Sequence, residues 1–160
     1  MKLPDMDYSI WINRIKAAVI PIAAFLLMFV FFRECLFICC VPTDSMEPTI
    51  AEGTLTVGIR RWLCGEITTG DIVVVRYGNT LLLKRVIGVS GDEIRIEEGT
   101  AYCNGVRSPW GDGDCPGEFL GPYHVPEGCL FLLGDNRDSS WDARYWKNPY
   151  TPLEAIWGKL

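Results

Sequence analysis

The sequence predicts a mainly β fold, an antiparallel β-sheet domain preceded by one N-terminal transmembrane helix. Two observations predict it. One is an unbroken run of 16 apolar residues, Ala17–Phe32, and the other is the series of β-branched or alternating segments that follows it, separated by Gly, Pro, Asn and Asp. The expected organisation is a cytoplasmic N-terminus at 1–16, a transmembrane anchor at 17–40 and an extracytoplasmic domain at 41–160.

The apolar run is the predicted anchor. As a helix, its 16 residues measure about 24 Å, slightly less than the ~30 Å hydrocarbon core of a bilayer. Arg33 and Glu34 interrupt the run, but apolar residues continue to about Ile38, so the extended segment is long enough to span. A cleaved signal peptide fits less well, because the run is long for one and no small-x-small site follows it.

Basic residues predict the orientation of this anchor in the cell membrane. Lys2, Arg14 and Lys16 precede the run, which favours an N-terminus inside and the remaining chain outside. Arg60 and Arg61 lie downstream and reduce this bias.

The rest of the chain has the pattern of short strands. Gly78-Asn79 and Asn104-Gly105 are predicted hairpin turns, and residues 107–128, rich in Gly and Pro, are expected to form a loop. The predicted strands are 72–77, 81–89, 93–97, 101–103, 129–133 and a last one near 155–158.

The composition narrows the function classes. The chain has 160 residues, a net charge of −5 and 49% hydrophobic residues, which suits one modest domain with a core. It has no basic stripe, which argues against nucleic-acid binding. His124 is the single histidine, so a His-rich metal site is excluded, and we expect no cofactor.

The seven cysteines form no CxxC pair, so a zinc ribbon is not expected. Four of them lie beyond the apolar run and would form up to two disulfides in an oxidising compartment. Cys103 and Cys115 bracket a short loop and are one candidate pair; reduced, packed thiols are the alternative, and both remain open. The four are Cys64, Cys103, Cys115 and Cys129.

Ser45 lies between Pro42 and Pro48 in the irregular segment 41–49. Proline lacks a backbone N–H and disfavours helix at the preceding residue, so this segment is neither a regular helix nor a central strand. A nucleophile is often presented on such a segment, although most loop serines bond to nearby backbone groups. A serine nucleophile also needs a base.

Two residues are candidate bases. His124 has no acid-rich motif beside it, and a structural or exposed histidine is the competing interpretation. Lys84 follows three leucines, 81–83, and precedes Val86 and Ile87, so burial would lower its pKa toward neutrality. The competing interpretation is an ordinary solvent-facing lysine.

A third segment, 134–144, combines acidic and basic residues directly after a predicted buried strand. Read alone, it is a solvated loop with weak local ion pairs. Such a loop can also form a rigid wall beside an active site.

Together these segments resemble the type I signal peptidases, membrane-anchored serine proteases with a Ser/Lys dyad. The matching pieces are 42–49, 70–76, 84–92 and 134–144, which follow an apolar anchor in the family's order. The resemblance implies that Ser45 is the nucleophile and that Lys84 is the general base.

The resemblance also implies supporting roles. The Thr43 hydroxyl and the backbone N–H of Ser45 would form the oxyanion hole, and Ser140 would position the lysine. Asp142 and Arg144 would form an ion pair that supports the site, while Asp135 and Arg137 would be structural. The chain departs from the family's usual pattern at Asp44, often glycine, and at Ala143, commonly serine.

The implied substrates are preprotein signal peptides with small side chains at the first and third residues before the cut. Ser45 follows Phe32 by only 13 residues, so we expect the site to lie near the outer membrane face and to contact membrane lipid. The predicted pocket lining is Val41, Pro42, Met46, Ile50, Leu82 and Leu83.

Three other functions compete. A related peptidase could mature a pilin or conjugation protein, and an inactive membrane-anchored β domain could bind signal peptides or assembly partners. A self-cleaving repressor with the same dyad would need a DNA-binding domain, where this N-terminus has an apolar run.

Overall fold

The computed structural model describes residues 8–115 and 117–160, which divide into two compact units, residues up to 36 and Phe37–Leu160. The first unit contains helix α1 (Tyr8–Cys35). Its segment Trp11–Cys35 has a mean hydropathy of 2.5, so by length and composition this helix can cross a membrane.

The helix ends earlier than the expected anchor at 17–40. Residues 36–40 form strand β1 (Leu36–Cys40), which lies next to β2 in a sheet. The sequence Leu-Phe-Ile-Cys-Cys contains aromatic and β-branched residues, which favour a strand once a neighbouring strand is present to pair with them.

Ten further strands and a short 3₁₀ helix, Leu153–Ala155, occur in the described part of Phe37–Leu160. The strands are β2 (Leu55–Arg60), β3 (Ile72–Tyr77), β4 (Thr80–Gly88), β5 (Glu93–Glu97), β6 (Thr100–Cys103), β7 (Val106–Arg107), β8 (Phe119–His124), β9 (Cys129–Leu133), β10 (Tyr150–Pro152) and β11 (Ile156–Lys159).

These strands form two sheets in the described residues. The larger has the order β1-β2-β11-β3-β4-β9-β10, and the smaller has the order β7-β6-β5-β8. The pairs from β2 to β10 in the larger sheet, and those of the smaller sheet, are antiparallel. The prediction of a mainly antiparallel β fold with one N-terminal apolar helix is confirmed.

Both predicted hairpin turns are present. Tyr77 pairs with Thr80 across Gly78-Asn79, and Cys103 pairs with Val106 across Asn104-Gly105. Asn104 and Gly105 both have positive φ, 51° and 79°, as the tight two-residue turn requires.

One prediction was wrong. Residues 107–128 were expected to form a loop, but they contain β8, which pairs with β5. Gly121 and Pro122 conceal the strand in the sequence, and only its long-range partner makes it one.

The two halves of strand β4 have different surroundings. Its C-terminal half is buried between β3 and β9, with Val86 and Ile87 fully covered. Pairing with β9 begins at Arg85, so in the described part of the chain residues 80–84 pair with β3 alone. That half of β4 has an open edge.

Candidate active site

Ser45 and Lys84 meet in the folded chain although 39 residues separate them. The Nζ atom of Lys84 donates a hydrogen bond to the Oγ atom of Ser45 at 3.1 Å. Both side chains are buried, with exposed fractions of 7% for Ser45 and 3% for Lys84. The segment 41–49 and strand β4 therefore bring a hydroxyl and an amine together in a nearly dry site.

Lys84 is on the β3–β4 hairpin, where it pairs with the fully buried Val73. Burial lowers the pKa of Lys84; the carboxylates of Asp142 and Asp135 act in the opposite direction, and Arg144 adds to the lowering. No salt bridge to Lys84 occurs within residues 8–115 and 117–160. This setting favours the neutral amine.

Thr43 and Ser140 both lie beside the dyad. Thr43 Oγ1 donates to Ser45 Oγ at 3.3 Å. Ser140 is buried, and its Oγ has no hydrogen-bond partner among the described residues. Its role in positioning Lys84 stays a prediction. The Ser140 side chain fits because residue 134 is glycine, where an added Cβ would lie 2.1 Å from Ser140 Oγ.

Asn136 is a supporting residue that the sequence interpretation missed. Its backbone N–H donates to the carbonyl of Ser45 at 3.1 Å, and its Nδ2 donates to the carbonyl of Asp44 at 3.2 Å. Asn136 thus ties the loop after β9 to the nucleophile segment. An asparagine within a charged loop gave no signal of this role.

Asp142 and Arg144 form the ion pair that the resemblance implied. Arg144 Nε lies 2.9 Å from Asp142 Oδ1, and both side chains are fully buried. Asp142 Oδ2 also accepts the N–H of Gly134 at 3.0 Å, and Arg144 Nη2 donates to the carbonyl of Arg137 at 2.6 Å. The pair therefore closes the loop 134–144 on itself behind the dyad.

A second buried ion pair joins Arg85 and Asp135, with Nη2 and Oδ2 2.6 Å apart. Arg85 also donates to the carbonyl of Gly70 at 2.7 Å. The sequence interpretation gave Arg85 no role of its own. The available signal was an arginine inside an apolar strand, which needs an acid when buried.

Arg137 is almost fully buried. It donates to the carbonyls of Gly134 and Trp110, and burial lowers its pKa to about 10. It holds the loop 134–144 against the loop that contains Trp110, in keeping with the structural role expected for it.

A groove of about 290 Å³ opens beside the dyad between segment 41–45 and the first half of β4. Four of the predicted lining residues, Val41, Pro42, Leu82 and Leu83, lie along it. Met46 and Ile50 do not line it, and Met46 is fully buried beneath the segment. The lining that was not predicted as such is Asp44, Thr80, Leu81, Ser139 and Trp141.

His124 does not line this groove. It is in β8 of the smaller sheet, its side chain is exposed, and its Nδ1 lies 3.9 Å from a carboxylate oxygen of Glu93. This position favours the exposed-histidine interpretation over a base for Ser45.

All seven cysteines lie in the described residues and are free thiols. The structure thus favours reduced, packed cysteines over a Cys103–Cys115 bridge. Within the part of the chain that the structure describes, no group of three His, Cys, Asp or Glu side chains is arranged to hold a metal ion.

Comparisons with known proteins agree on one family. The family model described as "Signal peptidase, peptidase S26" matches residues 11–160. Signal peptidase I of Bacillus caldolyticus is 35% identical over 137 residues, which cover 75% of this chain and 74% of that protein. Signal peptidase I of Bacillus licheniformis is 35% identical over 144 residues, covering 81% and 76%.

Two further matches differ in extent. A probable signal peptidase I-2 of Synechocystis is 31% identical over 135 residues, and the chain spans 58% of its length. The crystal structure of a signal peptidase I from Enterococcus faecalis V583 covers 59% of this chain and 97% of its own, with 24% identity and a TM-score of 0.49.

Proposed function

The chain belongs to the signal peptidase family, peptidase S26, and we propose that it is a membrane-bound serine endopeptidase that removes signal peptides from preproteins with a Ser45/Lys84 dyad. The single observation that carries the proposal is the 3.1 Å contact between Lys84 Nζ and Ser45 Oγ. A buried lysine without a salt bridge in the described residues has no evident structural use, whereas a neutral amine beside a hydroxyl is a general base.

The reaction is acyl transfer. Neutral Lys84 accepts the hydroxyl proton while Ser45 Oγ bonds to the carbonyl carbon of the scissile peptide. The resulting ammonium donates that proton to the leaving amine as the C–N bond breaks. Lys84 then takes a proton from water, which attacks the acyl ester. The resulting ammonium returns that proton to Ser45 Oγ as the ester bond breaks, so the product acid leaves and the dyad is restored.

The oxyanion that forms at the attacked carbonyl needs hydrogen-bond donors. We assign this role to the backbone N–H of Ser45 and the hydroxyl of Thr43, whose Oγ1 lies 3.3 Å from Ser45 Oγ. Loss of one such donor typically lowers kcat by about 10²–10³. Thr43→Val should therefore lower kcat by about 10²–10³, while Thr43→Ser should keep most of the activity.

The open edge of β4 is evidence that the substrate binds in an extended conformation. Residues 80–84 pair only with β3 in the described part of the chain, so their outer backbone groups are free to pair with an added strand. The groove of about 290 Å³ on that side lies just below the usual ~300–1,000 Å³ range of ligand pockets. A narrow groove suits small side chains near the cut.

The proposed location is the cell membrane, with α1 as a single anchor and the β domain on the extracytoplasmic side. The exposed apolar residues Ile38, Leu55, Val57 and Trp62 support contact with lipid. In vesicles with brominated acyl chains, Trp62→Phe should show less quenching of tryptophan fluorescence than the wild type. Equal quenching of the two proteins would argue against this contact.

The test of the activity is cleavage of a preprotein with an Ala-x-Ala site by the full chain in detergent. Ser45→Ala and Lys84→Met should abolish cleavage, and His124→Ala should retain it. Activity that survived Lys84→Met would refute the proposed base. No cleavage by the wild type would instead favour a specialised substrate, such as a pilin or conjugation protein, or a non-catalytic signal-peptide-binding role.

A further inference from the structure

Trp141 is half exposed, at 51%, in the wall of the catalytic groove. Its indole packs on the ring of Tyr77, with centroids 5.0 Å apart, and on that of Trp146 at 6.0 Å. Tyr77 and Trp146 also contact each other at 4.9 Å. Three mutually packed aromatic rings thus hold the indole in place.

The register of the β3–β4 hairpin locates this indole along the groove. Tyr77 pairs with Thr80, Val75 with Leu82, and Val73 with Lys84. Because directly opposite residues share a face and alternate residues point the same way, Tyr77, Leu82 and Lys84 lie on one face. The indole on Tyr77 therefore lies on the Lys84 face, beside Leu82.

Leu82 is two residues before Lys84, which is about 6.6 Å along a strand. Consider an extended substrate whose scissile carbonyl lies at the dyad and whose residues before the cut lie in the groove. Its first and third residues before the cut are also about 6.6 Å apart. Its third residue before the cut then lies beside Leu82 and Trp141. The second residue before the cut points to the other side.

We propose that Trp141 is the wall that limits the size of the substrate side chain at the third position before the cut. This inference rests on the proposed signal-peptide cleavage. The indole is held by Tyr77 and Trp146 and cannot withdraw without breaking the aromatic cluster. A β-branched or longer substrate side chain at that position therefore clashes with the indole, whereas an alanine side chain fits beside it.

The experiment compares kcat/KM for one preprotein carrying Ala, Val or Leu at the third position, cleaved by the full chain in detergent. In the wild type the Ala substrate should be preferred. One methylene in an apolar pocket typically changes kcat/KM by about 10–200-fold. Trp141→Ala should therefore raise the Leu/Ala ratio by at least about tenfold, and Trp141→Phe should give an intermediate ratio.

Two controls separate this role from a structural one. The ratio is taken within one preparation, so the folded fraction of each variant cancels. The same Ala-to-Leu change at the second position should give a ratio that Trp141→Ala does not alter. Phe119→Ala, which truncates an exposed aromatic residue of β8, should leave both ratios unchanged.

The outcomes are distinct. An unchanged Leu/Ala ratio in Trp141→Ala, an equal change at both positions, or a wild-type preference for Leu would overturn the role of Trp141 while cleavage itself stands. Failure of the wild type to cleave any of these substrates would overturn the proposed function and this inference with it.

Discussion

The guanidinium of Arg85 binds the carboxylate of Asp135 through two hydrogen bonds, Nε to Oδ1 at 2.7 Å and Nη2 to Oδ2 at 2.6 Å. Its neighbour Lys84 points to the other face of β4 and contacts Ser45 instead. One strand thus carries two buried basic residues in succession. Among the residues that the structure describes, Arg85 is paired with an acid and Lys84 is not.

The Arg85–Asp135 pair should be costly to break. Asp135→Asn leaves a buried guanidinium without its counter-charge, and removing one partner of a buried pair typically lowers the free energy of unfolding by about 3–5 kcal/mol. Urea unfolding in detergent, followed by tryptophan fluorescence, measures the loss. The matched control is Glu93→Gln, which breaks the exposed pair with Arg95 and should cost at most about 1 kcal/mol. Similar losses in the two variants would contradict the prediction.

Lys84 should make stability depend on pH. Burial lowers its pKa in the folded chain, so between that pKa and the unfolded value of about 10.4 the unfolded chain binds more protons. The free energy of unfolding should therefore rise with pH in this window, by at most about 1.4 kcal/mol per pH unit. Unfolding curves of the wild type and Lys84→Met across the window measure the difference. Parallel pH profiles of the two proteins would show that the pKa of Lys84 is not lowered in the folded chain.

Gly134 should be required for the site for steric reasons. An added Cβ would lie 2.1 Å from Ser140 Oγ and 2.6 Å from the carbonyl oxygen of Ser45. Gly134→Ala should therefore displace both and lower kcat for preprotein cleavage by at least about tenfold, with a loss of about 1–3 kcal/mol in stability from overpacking. Gly91→Ala is the control, since that glycine has φ +90° and a Cβ added there would meet no atom of another described residue within 4 Å. It should lower stability and leave kcat unchanged.

The free thiols predict a simple chemical result. Alkylation of the unfolded chain without any reductant should modify all seven cysteines, and mass spectrometry counts the adducts. Reductant should not change the count. Five adducts without reductant and seven with it would indicate one disulfide and contradict the prediction. Cys103 and Cys115 would then be the first pair to examine by peptide mapping.

The sequence predicted those parts of the fold and site that depend on local patterns. Apolar length predicted the helix, and β-branched runs and Asn-Gly or Gly-Asn turns predicted the β3–β4 and β6–β7 hairpins. Strand β8 was missed because Gly121 and Pro122 break its pattern, and its pairing with β5 comes from a distant part of the chain.

Contacts between distant segments could not be predicted in this way. The hydrogen bonds from Asn136 to residues 44 and 45 span about 90 residues of sequence, and no local feature of an asparagine in a polar loop indicates them. No local sequence feature indicated the position of Trp141 either, because its place in the groove depends on packing against the ring of Tyr77.

The sequence by itself determined the membrane-length helix, the antiparallel strands and, through the family's motifs, the identity of Ser45 and Lys84 as candidates. Only the tertiary structure decided that these two side chains meet at 3.1 Å, that Arg85 has a buried partner, and that Trp141 lines the groove. Periodicity and turn chemistry are local properties that a chain carries in its order of residues. Burial, pKa and groove shape depend on which distant residues exclude water from a given atom, and packing alone fixes that.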